Sequence, residues 1–152
     1  MDLSDAELYE KYADELIRFA TGLVGPHESQ DIVSTAVLSS LSTPSWSSVA
    51  NKRAYLYRSV FNTAKSHGRS SMRRRAREER VASPSTFELP EIRPDVLEAV
   101  EKLSVQQRAT VFLTYWNDMS IAQVADLLDI GEGSVKRHLA RARANLRKSL
   151  HE

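Results

Sequence analysis

Between Val81 and Pro94 the chain places Pro84, Pro90 and Pro94 among serines and a threonine, and no other feature limits its fold as much. A proline removes a backbone donor and blocks the helix that would run through it. Apolar residues recur at helical spacing on both sides of this stretch. The chain is therefore expected to form two small helical domains, residues 1–80 and 95–152, joined by a flexible linker over 81–94. Five glycines and five prolines in 152 residues are too few for a strand-and-turn-rich fold, so the expected class is all-α. Domains this small bury limited cores, and both are expected to gain rigidity from partners.

The first helical pattern runs from about Asp5 to Leu23, with Leu8, Tyr12, Leu16, Phe19, Ala20 and Leu23 on one stripe. Gly25-Pro26 breaks it. A second pattern, from about Glu28 to Leu41, turns Ile32, Val33, Ala36, Val37 and Leu41 inward and leaves serines and threonines on its other side. Thr43 to Ser48 reads as a loop. A third pattern, from about Ala50 to Arg80, carries Tyr55, Leu56, Val60, Phe61 and Ala64 before turning basic. Beyond the linker, Val96, Leu97, Val100 and Leu103 form one stripe, and Val105, Ala109, Phe112 and Trp116 form another, with Trp116 read as core. A short helix from Ser120 to Leu128 and a last one from Glu132 to about Leu150 complete the pattern.

Several function classes drop out. With no cysteine there are no disulfides, thiolate metal sites or cysteine nucleophiles, which fits a reducing cytoplasm. There is no glycine-rich phosphate loop, no histidine pair at metal spacing and no glycine-flanked serine elbow, so neither an enzyme nor a cofactor site is expected. His27, His67, His138 and His151 are scattered and expected at the surface. Residues Met1 to Glu15 are acidic and amphipathic, which argues against a secretory signal. No run approaches ~18 apolar residues, so membrane insertion is not expected.

The net charge of +1 hides an uneven distribution. Asp2, Asp5, Glu7, Glu10, Asp14, Glu15, Glu28 and Asp31 crowd the first residues, against Lys11 and Arg18. Lys136, Arg137, Arg141, Arg143, Arg147 and Lys148 crowd the last, with no acid between Gly133 and His151. One acidic and one basic end suggest two different partners, the basic one offering phosphate contacts.

Ser120 to Ala144 has the layout of a helix-turn-helix. Ser120 suits an N-cap, and Ile121, Val124, Ala125 and Leu128 form the inner face of the first helix. Ala125 is small where the second helix crosses, Asp129 tolerates a left-handed turn, and Val135 with Leu139 closes the core. Glu132, Ser134, Lys136, Arg137 and Arg141 then project from the second helix toward a major groove, where long cations pair with guanine edges and phosphates. The plainer alternative is a helical hairpin with a solvated basic face.

These residues and their flanks carry a family likeness. Val100 to Ser104, Gln107-Arg108, Phe112-Leu113, Val124-Ala125 and Leu128 to Leu146 resemble region 4 of the sigma-70 family. Ser104 stands where that family usually has proline, Asp129 replaces the turn glycine and Gly131 the capping serine. Tyr12 to Ala20, Asp31 to Val33 and Arg53 to Arg58 with Asn62 resemble region 2. Together they look like a small extracytoplasmic-function (ECF) sigma factor with regions 2 and 4 alone.

The resemblance implies a region 2-like domain over 1–80, for the polymerase clamp and −10 element, and a region 4-like domain over 95–152, for the −35 element. It implies core RNA polymerase, through its clamp helices and flap, promoter DNA and an anti-sigma factor as partners. Asp31, Ser34, Thr35 and Leu38 would meet the polymerase clamp, and Trp46, Lys52, Asn62, Lys65 and Arg69 the unwound −10 element, with Trp46, in its loop, equally readable as core. Asn62 offers both donor and acceptor to a base, and Lys65 and Arg69 supply charge. Ser34-Thr35 departs from the polar-acidic pair usual in the family, and Ser66 from a common aspartate. Arg69, Arg73, Arg74, Arg75, Arg77 and Arg80 would track phosphates or form a solvated helix end eased by pairs such as Arg74–Glu78. Two other readings stay open: a stand-alone helix-turn-helix regulator, and a sigma-like protein that binds polymerase or an anti-sigma factor without initiating.

Overall fold

A computed structural model describes residues 4–75 and 94–150, with the side chains of all but 68–75, 94, 96 and 97. The chain divides into two compact units, Met1–Ser83 and Pro84–Glu152. Among the described residues every regular element is a helix. The expected linker, apart from Pro94, lies outside them, as do Arg77, Arg80 and the Arg74–Glu78 pairing.

The first unit is a bundle of α1 (Asp5–Val24), α2 (Ser29–Leu41) and α3 (Lys52–Arg75), each packed on the other two. Ser4 caps α1 by accepting from the Glu7 amide at 3.2 Å, and Asp5 and Glu7 suit the positive end of the helix dipole. Gly25 ends α1 at φ 89, a conformation that glycine alone adopts freely. Inside the bundle lie Leu16, Phe19, Ala20 and Leu23, then Ile32, Val33, Ala36 and Val37, then Leu56, Tyr57, Val60, Phe61 and Ala64. The Phe19 and Tyr57 rings meet at 5.0 Å.

Two polar inserts enter this core. The Tyr57 hydroxyl and Arg53 Nε both donate to Glu15 Oε1, at 2.9 and 2.6 Å, tying α3 to α1. Burial works against the Arg53 charge, but the bond and charge of Glu15, with Tyr57 and Tyr12, more than offset it and raise the guanidinium above its ordinary value. Ser40, on the serine-rich side of α2, is buried and not outward-facing: its hydroxyl bonds the Ala36 carbonyl at 2.8 Å and Ser59 Oγ at 2.9 Å.

The second unit packs α4 (Pro94–Glu101), α5 (Val105–Val111) and α6 (Ile121–Leu128) against α7 (Glu132–Leu150). Pro94 opens α4, where its missing N–H costs nothing. Ser104 and Ser120 each build a full capping box, with Gln107 and Gln123. Ser104 thus starts α5 by side-chain capping, without a proline. The buried residues include Ala99, Leu103, Ala109, Leu113, Val124, Leu128, Val135, Leu139 and Ala142.

Trp116 departs from its expected place. Helix α5 widens into a π-turn over Phe112–Trp116, closed by the Asn117 amide on the Phe112 carbonyl at 3.3 Å. The wider turn breaks the 3.6-residue phase, so Trp116 leaves the stripe of Val105 and Ala109 and stands 50% exposed beside Phe112.

Leu16 is fully enclosed among three helices, so Leu16→Ala leaves a cavity that they do not fill. We expect a loss of about 2–5 kcal/mol, read in urea titration as a lower midpoint with the slope unchanged.

Candidate functional surfaces

In the second unit the corner between α6 and α7 aims the last helix. Asp129 takes the left-handed conformation at φ 57, ψ 49, and the Ile130 amide returns to the Ala125 carbonyl at 3.0 Å. A Cβ at Gly131 would meet nothing within 4 Å, so the turn leaves room for a side chain there. Val135, Leu139 and Ala142 are buried, which turns the opposite side of α7 to solvent.

That outer side carries Glu132, Lys136, Arg137 and Arg141, all exposed, with Ser134 half-buried. Arg137 Nη2 donates to Ser134 Oγ at 3.0 Å, holding the guanidinium along the helix. Arg143 behaves differently. Its Nε donates to the Tyr115 hydroxyl at 2.8 Å, with the guanidinium over the ring at 5.8 Å, so the exposed Tyr115 draws this cation back toward the π-turn. This tether joins residues 28 apart and left no local signal in the sequence.

In the first unit Asp31, Ser34, Thr35 and Leu38 recur at three and four along α2, and all four are exposed, Leu38 to 65%. They form one outward stripe opposite Ile32, Val33, Ala36 and Val37.

The residues expected at single-stranded DNA divide. Asn62 is exposed on α3, and Lys65 lies one turn on, its ammonium 4.6 Å from the centre of the Phe61 ring. Lys52 sits ten residues earlier, roughly 15 Å along the axis, so it belongs to the loop end and not to the Asn62 face. There it donates to the Val49 carbonyl at 3.2 Å and covers the Trp46 ring. The Arg69 side chain lies outside those described.

Trp46, which could be either core or a base-stacking surface, is packed in the free protein. It opens a single 3-10 turn, Trp46–Ser48, and is 6% exposed, with its ring edge-on to Tyr55 and its indole N–H on Asp5 Oδ1 at 3.1 Å. Leaving that buried N–H without an acceptor would cost about 1–3 kcal/mol.

Two histidines expected at the surface are partly enclosed. His67 Nε2 lies 2.8 Å from Glu28 Oε2, bridging α3 to the start of α2. His138 on α7 is half-buried and its Nδ1 has no partner. Burial, then the charges of Arg141 and Arg137, lower its pKa below the ordinary 6.5. Among the described residues no three histidine or carboxylate side chains cluster as metal ligands, and no helix is long and apolar enough to cross a membrane.

Helical units carrying a helix-turn-helix with an outward cationic face define a DNA-binding protein built on the plan of transcription factors. Residues 93–146 match the family model of sigma-70, region 4. The RNA polymerase sigma-E factor of Streptomyces antibioticus is 31% identical across 95% of this chain and 83% of its own length. The ECF RNA polymerase sigma factor SigL of Mycobacterium tuberculosis is 30% identical across 95% and 88%. In fold, the chain is similar to the sigma factor RpoE of Bartonella quintana, solved in complex with the anti-sigma factor NepR, at TM-score 0.66 and 22% identity over 96% of both chains. It is also similar to CnrH, solved with the cytosolic domain of CnrY, at TM-score 0.59 and 19% identity over 97% of this chain and 87% of that one. The chain belongs to the ECF sigma factors of the sigma-70 family, the subunits that direct RNA polymerase to promoters.

The state of His138 sets an acid limit on the helix-turn-helix. The folded form resists protonating it, so below about pH 6.5 the unfolded chain binds more protons and stability falls with pH. The loss begins as pH drops through the ordinary histidine value and is complete below the lowered folded one. Thermal unfolding of His138→Gln between pH 7.5 and 5 is expected to show a shallower fall than the parent.

Proposed function

We propose that the first unit docks on core RNA polymerase and captures unwound promoter bases while the second reads duplex DNA upstream. The observation that carries this reading is the pairing of two outward faces, each fixed by the burial behind it. On α2, Asp31, Ser34, Thr35 and Leu38 offer the polymerase clamp a polar stripe ending in an exposed leucine. On α7, Glu132, Ser134, Lys136, Arg137 and Arg141 face a major groove at the −35 element. Asn62 and Lys65, with Arg69 a turn beyond and the exposed residues of the Trp46–Lys52 loop ahead of α3, receive the single strand of the −10 element, where an unstacked base needs both hydrogen-bonding senses and nearby charge.

The protein is not an enzyme in this reading: bond making stays with the polymerase, and the sigma factor acts by binding. It works in the cytoplasm, where polymerase and promoters are. An anti-sigma factor is its natural regulator, since RpoE of Bartonella quintana is held by one. With no cysteine in the chain, a thiol-based redox signal would have to be sensed by that regulator.

Run-off transcription with core polymerase on a library of random promoters tests the whole. Protein-dependent transcripts sharing two spaced upstream elements are expected. Polymerase binding without transcripts would favour a factor that occupies polymerase without initiating, and no polymerase binding a stand-alone regulator.

Two variants divide the labour. Asn62→Ala is expected to lower initiation at least ~10-fold while polymerase affinity, followed by fluorescence anisotropy, stays at the parental value. Arg141→Ala is expected to weaken upstream duplex binding across sequences and to reduce the slope of log affinity against log salt by about 1.

A further inference from the structure

Residues 42–51, between α2 and α3, hold one buried side chain, Trp46. Three contacts meet on its indole. From α3, Tyr55 meets it edge-on at 5.6 Å and the Lys52 ammonium covers it at 5.5 Å. The same two residues reach the segment itself, Lys52 at the Val49 carbonyl and Tyr55 at Thr43 Oγ1, 3.4 Å away. The contact from α1 is the bond of the indole N–H to Asp5, 41 residues back in the chain.

The α3 contacts come from the helix that the segment runs into, itself held to α1 through Glu15. Asp5 belongs to a separate helix and fixes the segment against the body of the bundle. Without that acceptor the indole N–H must stay unpaired in the interior or swing out to water, carrying the 3-10 turn with it. Around the anchored ring, Ser45, Ser47, Ser48, Ala50 and Asn51 remain exposed. Ser48 Oγ donates to the Ser45 carbonyl and Asn51 Oδ1 accepts from the Ala54 amide, so these polar groups are ordered by the segment's own bonds. A polar segment binds an extruded base without an ordering cost if its shape exists beforehand.

We infer that Asp5 is a positioning residue for single-stranded promoter recognition: its hydrogen bond to Trp46 holds residues 42–51 in base-receiving shape before DNA arrives. This rests on the reading of the first unit given above. Asp5 touches no DNA itself, and its effect passes through the indole.

The test uses holoenzyme assembled from the full chain and core polymerase. Its probe is a labelled single-stranded oligonucleotide carrying the downstream element recovered from the promoter library. Asp5→Ala is expected to weaken oligonucleotide binding about tenfold. Polymerase affinity and upstream duplex binding should stay unchanged. Asp5→Asn, whose amide oxygen also accepts, should restore binding to within about twofold. Trp46→Phe removes the donor, and adding Asp5→Ala to it should weaken binding no further, since both changes break one bond.

Parental affinity in Asp5→Ala overturns the inference, as does full additivity with Trp46→Phe. So does a matching loss of polymerase affinity, which would mark Asp5 as general scaffolding. A parental holoenzyme that ignores the oligonucleotide removes the underlying reading and this inference with it, a pattern distinct from Asp5→Ala matching the parent.

Discussion

Helices of eight, seven and eight residues, such as α4, α5 and α6, do not persist alone in water, because nucleation costs more than so few hydrogen bonds return. They exist here because each packs against α7. That dependence gives α7 two tasks. Its inner side, Val135, Leu139 and Ala142, is the seam of the unit, and its outer side is the exposed cationic face that we propose meets DNA. The cations of α7 are thus aimed by the packing of the residues behind them. The first unit repeats the logic: burial of Ile32, Val33, Ala36 and Val37 is what presents Asp31, Ser34, Thr35 and Leu38 outward.

Polar contacts then refine what burial has set. Two capping boxes satisfy backbone donors at the starts of α5 and α6, where chain direction changes. Glu15 joins α1 to α3 through Arg53 and Tyr57, and because the ion pair is partly exposed it specifies alignment more than it adds stability. The two helix starts and the corner are settled in the same way. Ser104 opens α5 with a cap, and Asp129 accepts the left-handed turn that a glycine would take more easily.

The basic residues are not equivalent. Arg143 is bound to Tyr115, and Lys52 and Lys65 lie over aromatic rings, so part of their charge already serves the fold. Lys136 and Arg141 are exposed, which makes them the more available partners for phosphate. Counting cations would have treated all of these alike.

Much was legible in the chain as written. The apolar period of Leu8, Leu16, Phe19 and Leu23 marked α1, Gly25-Pro26 marked its end, and Ala125, Asp129 and Val135 at their spacings marked the helix-turn-helix corner. The serine-to-glutamine spacing at Ser104 and Ser120 also announced both capping boxes, although the sequence reading used Ser120 alone. These features are local: a helical period, a cap and a turn depend on residues within a few positions of one another. The outward placing of Trp116, the burial of Trp46 and Ser40, and the enclosure of His138 were decided by packing. A π-turn shifts the phase of every residue after it, and an indole is buried only if an acceptor comes to meet it. The bonds that did this, Trp46 to Asp5, Arg53 to Glu15 and Arg143 to Tyr115, join residues 41, 38 and 28 apart. Sequence pattern specifies which side of a helix is apolar, whereas only the packed helices bring such distant side chains within a hydrogen bond's reach.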